Sequence, residues 1–365
     1  MLKRLVHSLL LCACAATPAL AQTAAPAAAD APTKFDLSRP EIAAFIDNVV
    51  AQDGLDRKSV VHILSKGEPR ATILDRSSKP AERVLEWWEY RDRFVNAKRI
   101  DDGVHFYLDH RQALETVAKE RGVAAEYIVA ILGAETNYGT FTGKDRVLDA
   151  LMTLAFDDAA RPDFFRSELE QFLLLAREEK IDPLTVTGSY SGAMGAPQFM
   201  PSTYRRFAVD GNSDKRRNLW TDWDDVFASV ANYFQSLGWQ PGARVIADAQ
   251  LDPDPSFQID PRNLELNETL DSLNAKGVRI GGASAPTAAA IAQSTAPAGA
   301  PSGATQVVLI SAEQKDGPAY RVGFKNFYVI TRYNHSARYA MAVNDLADAI
   351  AVRVHSVRSA DTGIR

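Results

Sequence analysis

Apolar residues recur at helical spacing through most of the first two thirds of the chain. Ile42, Phe45, Ile46, Val49 and Val50 follow Pro40 and stop at Gly54; Asp56 then precedes Val60, Val61, Ile63 and Leu64, which together predict an αα-hairpin. A third helix is predicted over roughly 80–100, with Trp87, Trp88, Tyr90 and Phe94 mostly in the core, and a fourth from about His110 to Arg121. The same spacing returns over 124–135, 164–179 and 223–237, so this part of the chain requires no strand.

After Gly242 the pattern changes. Runs at Val307–Ile310, Tyr320–Phe324 and Phe327–Ile330, with the turn-like Lys315-Asp316-Gly317 among them, predict a small β-rich subdomain, and a last helix is expected from about Ala337 to Val354. The Ala/Pro/Ser/Gly stretch 282–305 has too little apolar side chain to offset its ordering entropy and reads as a disordered insertion. The expected fold class is mainly α (α+β). It comprises an N-terminal α domain over 34–109, a helical core over 110–242, a β-rich subdomain over 243–330 and a segment over 331–356 that returns to the core.

Lys3 and Arg4 precede an apolar run from Leu5 to Leu20 that ends in Ala19-Leu20-Ala21, which reads as an export signal over 1–21 followed by an Ala/Pro tether over 22–33. The expected location is the periplasm. Leu11-Cys12-Ala13-Cys14 also resembles a bacterial lipoprotein box, which would acylate Cys14 and anchor the protein to the outer membrane. Cleavage after Ala21 is preferred, since Cys14 would leave an unusually short signal. Both cysteines lie in this segment, so the cleaved chain has neither a disulfide framework nor a Cys-ligated metal. No other apolar run approaches the roughly 18 residues that span a bilayer.

A hydrophobic fraction of 46% with 24% charged residues fits a globular chain. The formal charge of −5, from 41 basic and 46 acidic residues, supplies no field for gripping nucleic acid, and Lys215-Arg216-Arg217 reads as a solvated loop.

Candidate chemistry begins at Glu135. Ile128, Ile131 and Leu132 precede it at helical spacing, which puts a carboxylate on an apolar stripe. Desolvation and the negative pole of the helix C-terminus, which Thr136-Asn137-Tyr138-Gly139 closes, both raise its pKa and suit it to general acid work. An ion pair with an arginine is the competing reading. A second feature is the glycine-rich run 188–202, where Ser189 and Gln198 could hydrogen-bond a polar ligand; a turn-rich connection is the plainer alternative. Gly188-Ser189-Tyr190-Ser191-Gly192 misses the serine-hydrolase elbow, because Tyr190 occupies the nucleophile's position. His105 and His110, five apart, do not share a helix face as metal ligands.

Four ordered segments resemble the lytic murein transglycosylase B family. They are Gly133-Ala134-Glu135-Thr136-Asn137-Tyr138-Gly139, the run 188–202, Ser229-Val230-Ala231-Asn232-Tyr233-Phe234, and the run from Asn326 through Tyr333-Asn334. The resemblance implies a lysozyme-like helical core with an added α domain and a small β domain around a groove for a peptidoglycan strand. It implies cleavage of the MurNAc-β-1,4-GlcNAc bond by Glu135 alone, as acid and then as base, leaving a 1,6-anhydro end and requiring no cofactor. This departs from the two-carboxylate scheme of most glycosidases. Carried over by motif, Ser189, Gln198, Tyr333 and Asn334 would contact the glutamate or the sugar, and Tyr90, Tyr233 and Tyr339 would line the sugar wall. Arg161 falls where relatives carry an arginine pair facing the peptide stem, but Ala160 replaces one of the two. The sequence names no cell-wall synthase as a partner.

Asp210-Gly211-Asn212-Ser213-Asp214 starts like a calcium loop, and some members of the family bind calcium there. Lys215 replaces the sharp-turn glycine and Thr221 stands at the twelfth position, leaving Asp225 as the late ligand. A structural calcium held by Asp210, Asn212, Asp214 and Asp225 and a solvated Asx-rich turn are both open readings. Two rivals to the leading function also stand: a hydrolytic muramidase of the same fold, and a non-catalytic wall-binding scaffold.

Overall fold

The computed structural model describes residues 33–78, 85–253, 259–260, 262–281 and 301–361; the export segment, Cys14 and the tether as far as residue 32 lie outside the described residues. The chain opens with α1 (Pro40–Asp53), α2 (Arg57–Leu64) and α3 (Ala71–Ser78). Proline starts α1, and Gly54 ends it in a left-handed conformation (φ 61°) with its amide on the Val49 carbonyl. The Asp56 carboxylate caps α2 by accepting the Ser59 amide at 2.8 Å.

The helix expected over 80–100 is two helices, α4 (Trp87–Phe94) and α5 (Ala97–Asp109), and residues 79–84 lie outside the described residues. The break falls at Asn96, whose side chain accepts the Arg99 amide at 3.0 Å and starts a new helix. Then come α6 (Arg111–Arg121), α7 (Ala125–Thr136), α8 (Val147–Phe156), α9 (Pro162–Glu179), α10 (Pro201–Phe207) and α11 (Trp223–Ser236). Nearly every residue of α7 and all of α8 are buried. Such helices are apolar all round because other helices cover every face. Here α5, α6 and α11 pack on α7, and α9 packs along α8.

The N-terminal helices are stapled to this core through Asp149 of α8, which is 1% exposed. Its carboxylate accepts the Glu68 amide (2.9 Å), Nε and Nη2 of Arg70 (3.1 and 2.9 Å) and Nη2 of Arg146 (2.5 Å). Contrary to the all-helical expectation for this part, β1 (Asp145–Arg146) pairs antiparallel with β2 (Thr187–Gly188). Two residues are too few for a periodic signal.

The C-terminal third contains β3 (Ile246–Leu251), β4 (Glu268–Thr269), α12 (Leu270–Ala275), β5 (Val278–Ile280), β6 (Gln306–Ser311) and β7 (Tyr320–Gly323). The five strands form one antiparallel sheet in the order β4-β6-β7-β3-β5. Along β6, Val307 and Leu309 enter a small separate core while Val308 and Ile310 enter the main one. Burial on both faces explains its unbroken apolar run. Residues 301–305, expected within the disordered insertion, are ordered: Gly303 and Thr305 carbonyls accept the Asp271 and Leu270 amides at 2.9 and 3.1 Å, and residues 282–300 lie outside the described residues.

Phe327–Ile330, expected as a strand, lies in α13 (Lys325–Tyr333), whose Phe327, Ile330 and Thr331 are buried at helical spacing. A short apolar run does not separate strand from helix. Buried Asn326 decides the matter by bridging Gln240 and Ala243 with 2.7, 2.8 and 3.1 Å bonds. The last helix, α14 (Ala337–Asp361), runs beyond the expected end at Val354 and packs on α4, α5 and α7.

Candidate active site

Helix α7 stops one residue after Glu135. Asn137 and Tyr138 both take left-handed conformations (φ 49° and 59°), and the Tyr138 amide returns to the Leu132 carbonyl at 3.0 Å. Side chains hold this turn in place. The Tyr138 hydroxyl donates to the Arg99 carbonyl at 2.7 Å, and the Arg99 guanidinium donates to the Gly133 carbonyl. Gly133 admits the Tyr138 ring, since a Cβ there would lie 2.7 Å from it. Thr136 donates its hydroxyl to the Ala196 carbonyl at 2.9 Å, fastening the end of α7 to the glycine-rich run.

Glu135 itself is half-buried, and the Tyr339 hydroxyl donates to its Oε1 at 2.5 Å. Desolvation pushes its pKa up to about 7, and the Tyr339 bond pulls against that rise. Among the described residues no acidic side chain contributes to the shift, and no arginine pairs with Glu135. Burial is the largest cause of the rise. At neutral pH the carboxyl is therefore divided between acid and base forms, the condition for both giving and taking a proton.

Three tyrosines lie within electrostatic reach of that carboxyl. Burial and the Glu135 charge hold the Tyr339 and Tyr333 hydroxyls well above their usual range and push Tyr90 up to about 12, so all three remain donors. Tyr333 donates to the Pro197 carbonyl at 2.6 Å, which fixes α13 against the glycine-rich run. Tyr233 packs its ring 4.9 Å from that of Tyr333 but turns its hydroxyl to the Arg332 carbonyl at 2.5 Å. It buttresses Tyr333.

The remaining expected residues divide. The Ser189 hydroxyl accepts the Ala193 amide at 3.0 Å and faces Ser191 Oγ at 3.1 Å, closing its own turn. Gln198, at φ 52°, donates Nε2 to the Thr142 and Gly195 carbonyls at 3.0 and 2.9 Å. It thereby ties the turn after α7 to the glycine-rich run, and no bond joins either side chain to Glu135 among the described residues. Asn334 is exposed just beyond α13. Arg161 is exposed at the start of α9, where its guanidinium lies 5.1 and 5.3 Å from the Phe164 and Phe165 ring centroids, and no ion pair joins it to the Glu135 group among the described residues. Sequence reasoning passed over Thr136 and Arg99, which aim Glu135 through backbone carbonyls that leave no mark in a sequence pattern.

In the acidic loop, Asp210 accepts the Asp214 and Lys215 amides at 3.1 and 2.7 Å, and Asn212 Oδ1 accepts the Asp214 amide at 3.0 Å. Buried Asp225 accepts the Gly211 and Asn218 amides at 2.7 and 2.6 Å. Burial raises its pKa, and the charges of Asp222 and Asp210 add to that rise. Among the described residues no three His, Cys, Asp or Glu side chains are gathered as a metal cage. Lys215 nonetheless takes the left-handed conformation (φ 71°) that a calcium loop assigns to glycine.

Residues 38–348 match the family model described as Transglycosylase SLT domain. Among characterised proteins, the membrane-bound lytic murein transglycosylase B of Escherichia coli K12 is 36% identical over 326 residues, covering 86% of this chain and 84% of that protein. The catenated lytic transglycosylase SltB1 of Pseudomonas aeruginosa is 42% identical with a TM-score of 0.79, covering 86% of this chain and 98% of that one. Escherichia coli Slt35, solved in complex with calcium, is 36% identical with a TM-score of 0.75 over 88% of this chain and 96% of that one. Pseudomonas aeruginosa SltB3, solved with NAG-anhNAM-pentapeptide, is 28% identical with a TM-score of 0.71 over 84% of this chain and 78% of that one.

Proposed function

Since the chain belongs to the transglycosylase SLT domain family and is a lytic transglycosylase of peptidoglycan, we propose that Glu135 alone performs both proton transfers of the reaction. Protonated Glu135 gives its proton to the glycosidic oxygen of the MurNAc-β-1,4-GlcNAc bond. The C1–O bond breaks, and the GlcNAc fragment leaves with a new 4-hydroxyl. The carboxylate then takes the proton of the MurNAc C6 hydroxyl as O6 bonds to C1, which closes the 1,6-anhydro ring and restores the acid. No water is consumed, and the nucleophile is already tethered to the reacting sugar, which removes a bimolecular encounter cost.

One observation carries this reading: a half-buried carboxyl, pushed up to about 7, bonded to Tyr339 and, among the described residues, without an acidic side chain contributing to its shift. Tyr339 is the positioning residue, and Tyr90 and Tyr333 form the wall beside it. Mass spectra of muropeptides from digested sacculi test the assignment. The expected products carry ends lighter by one water than hydrolysis would leave; reducing ends alone would transfer the protein to the hydrolytic muramidases.

SltB3 was solved with a peptidoglycan fragment that bears an anhydro sugar, which supports a glycan strand as this protein's substrate. Export by residues 1–21 would deliver the enzyme to the periplasm. Among the described residues no helix is long and apolar enough to cross a membrane, and membrane attachment would fall to acylated Cys14.

The acidic loop suits calcium in two respects: its hard oxygen donors Asp210, Asn212 and Asp214, and the negative charges of Asp222 and Asp210 around buried Asp225. Binding would draw the first three towards one ion, with Asp225 behind them, and would serve stability alone. Millimolar calcium is expected to raise the melting temperature by about 2–4 °C over a chelated sample. An identical midpoint in both samples would remove calcium from the account.

A further inference from the structure

Phe141 is 70% exposed, more than any other large apolar side chain among the described residues; Phe164, Val352, Tyr190, Val357 and Val61 fall between 37% and 42%. Folding gains little from a ring left in water. Yet the backbone carrying it is held rigidly beside the active site. The Phe141 amide donates to the Thr136 carbonyl at 2.9 Å, one residue beyond Glu135. The next carbonyl, Thr142, accepts Gln198 Nε2 at 3.0 Å. Gly143 (φ 96°) then lies so close to the other loop that a Cβ would fall 2.0 Å from the Gly188 carbonyl and 2.5 Å from the Ser189 amide. On that second loop Tyr190 is also exposed, its ring covered on one side by Arg76 at 4.7 Å. Two solvent-facing aromatics therefore stand on turns in backbone contact, both anchored to the end of α7.

From this geometry we propose that Phe141 is a substrate-positioning residue whose ring packs on the apolar face of a pyranose in the glycan strand, beside the sugar whose glycosidic bond Glu135 protonates. A pyranose offers one face of axial C–H groups, which an aromatic ring covers while the equatorial hydroxyls stay in water. A glycan is also the occupant consistent with the reading above, on which this inference rests. Phe141 touches no reacting atom, so it governs how tightly and in what register the strand lies rather than the chemistry.

The test compares the parent with Phe141→Ala and Phe141→Trp on purified sacculi. The Ala variant is expected to raise the apparent KM roughly three- to tenfold with kcat nearly unchanged and the melting temperature unmoved; Trp should restore KM. A merely structural residue would move the melting temperature instead. Co-sedimentation with sacculi in a Glu135→Gln background repeats the comparison without chemistry, so it decides the inference even if the parent releases no anhydro ends. Equal binding and equal KM for the parent and the Ala variant would overturn it.

Discussion

Glu135→Gln should lower the release of soluble fragments from sacculi by about 10²–10⁴-fold, the usual contribution of a positioned acid–base group. Glutamine keeps the size of glutamate and can still accept the Tyr339 hydroxyl, so binding to the wall should survive. The same substitution should stabilise the fold, with a defined pH dependence. The folded carboxyl has its pKa raised to about 7 from an ordinary 4.5, so between those values the folded state holds a proton that the unfolded state has released. Stability is then lost as pH rises from about 4.5 through about 7 and is constant above. Glutamine has no such loss. The variant should therefore exceed the parent at pH 8 by on the order of 2 kcal/mol, with the gap closing towards pH 4.5. Chemical denaturation at the two pH values measures it. A gap independent of pH would show that Glu135 is not desolvated, and activity near the parental rate would show that it is not the acid.

A larger structural loss is expected from Asp149→Ala. This carboxylate is almost wholly buried and joins Arg70 and Arg146 to the amide of Glu68; its removal takes an acceptor from the Glu68 amide and from both guanidinium groups, which keep the Glu68 carboxylate and the Lys66 carbonyl as partners. Because both arginines are partly solvated and keep other acceptors, the loss is about 1–3 kcal/mol, most of it from the desolvated Glu68 amide and the lost charge-assisted bonds. The midpoint of thermal unfolding should fall by roughly 3–6 °C. Activity at a permissive temperature should fall less, since Asp149 has no bond to Glu135. A midpoint unchanged within about a degree would mean that the segment around residues 66–70 does not depend on this staple.

The contrast between these two carboxylates shows what a sequence displays. Glu135 was visible because seven residues of nearly uninterrupted apolar helix lead up to it, and an acid in that setting can be recognised from spacing alone. Asp149 sits in an equally apolar helix, Val147–Phe156, but besides the neighbouring Arg146 its partners Arg70 and Glu68 lie 79 and 81 residues away in a loop whose composition is unremarkable. Helices capped by their own neighbours, such as α1 at Gly54 and α2 at Asp56, followed directly from local chemistry. Phe327–Ile330 did not, because four apolar residues fit either period and the choice was made by Asn326 bonding to a segment more than 80 residues earlier.

By itself, then, the sequence determined the helical class, the buried helix that ends at the acid, the two strands β6 and β7 of the C-terminal third and the family. Each depends on near neighbours or on motif order. Tertiary structure alone decided which tyrosine meets the acid: Tyr339 reaches Glu135 across 204 residues, whereas Tyr233 turns its hydroxyl away to the Arg332 carbonyl. It also decided that Ser189 and Gln198 brace turns and that Phe141 faces solvent. Side-chain direction follows from what each residue packs against, and those partners are distant in the chain.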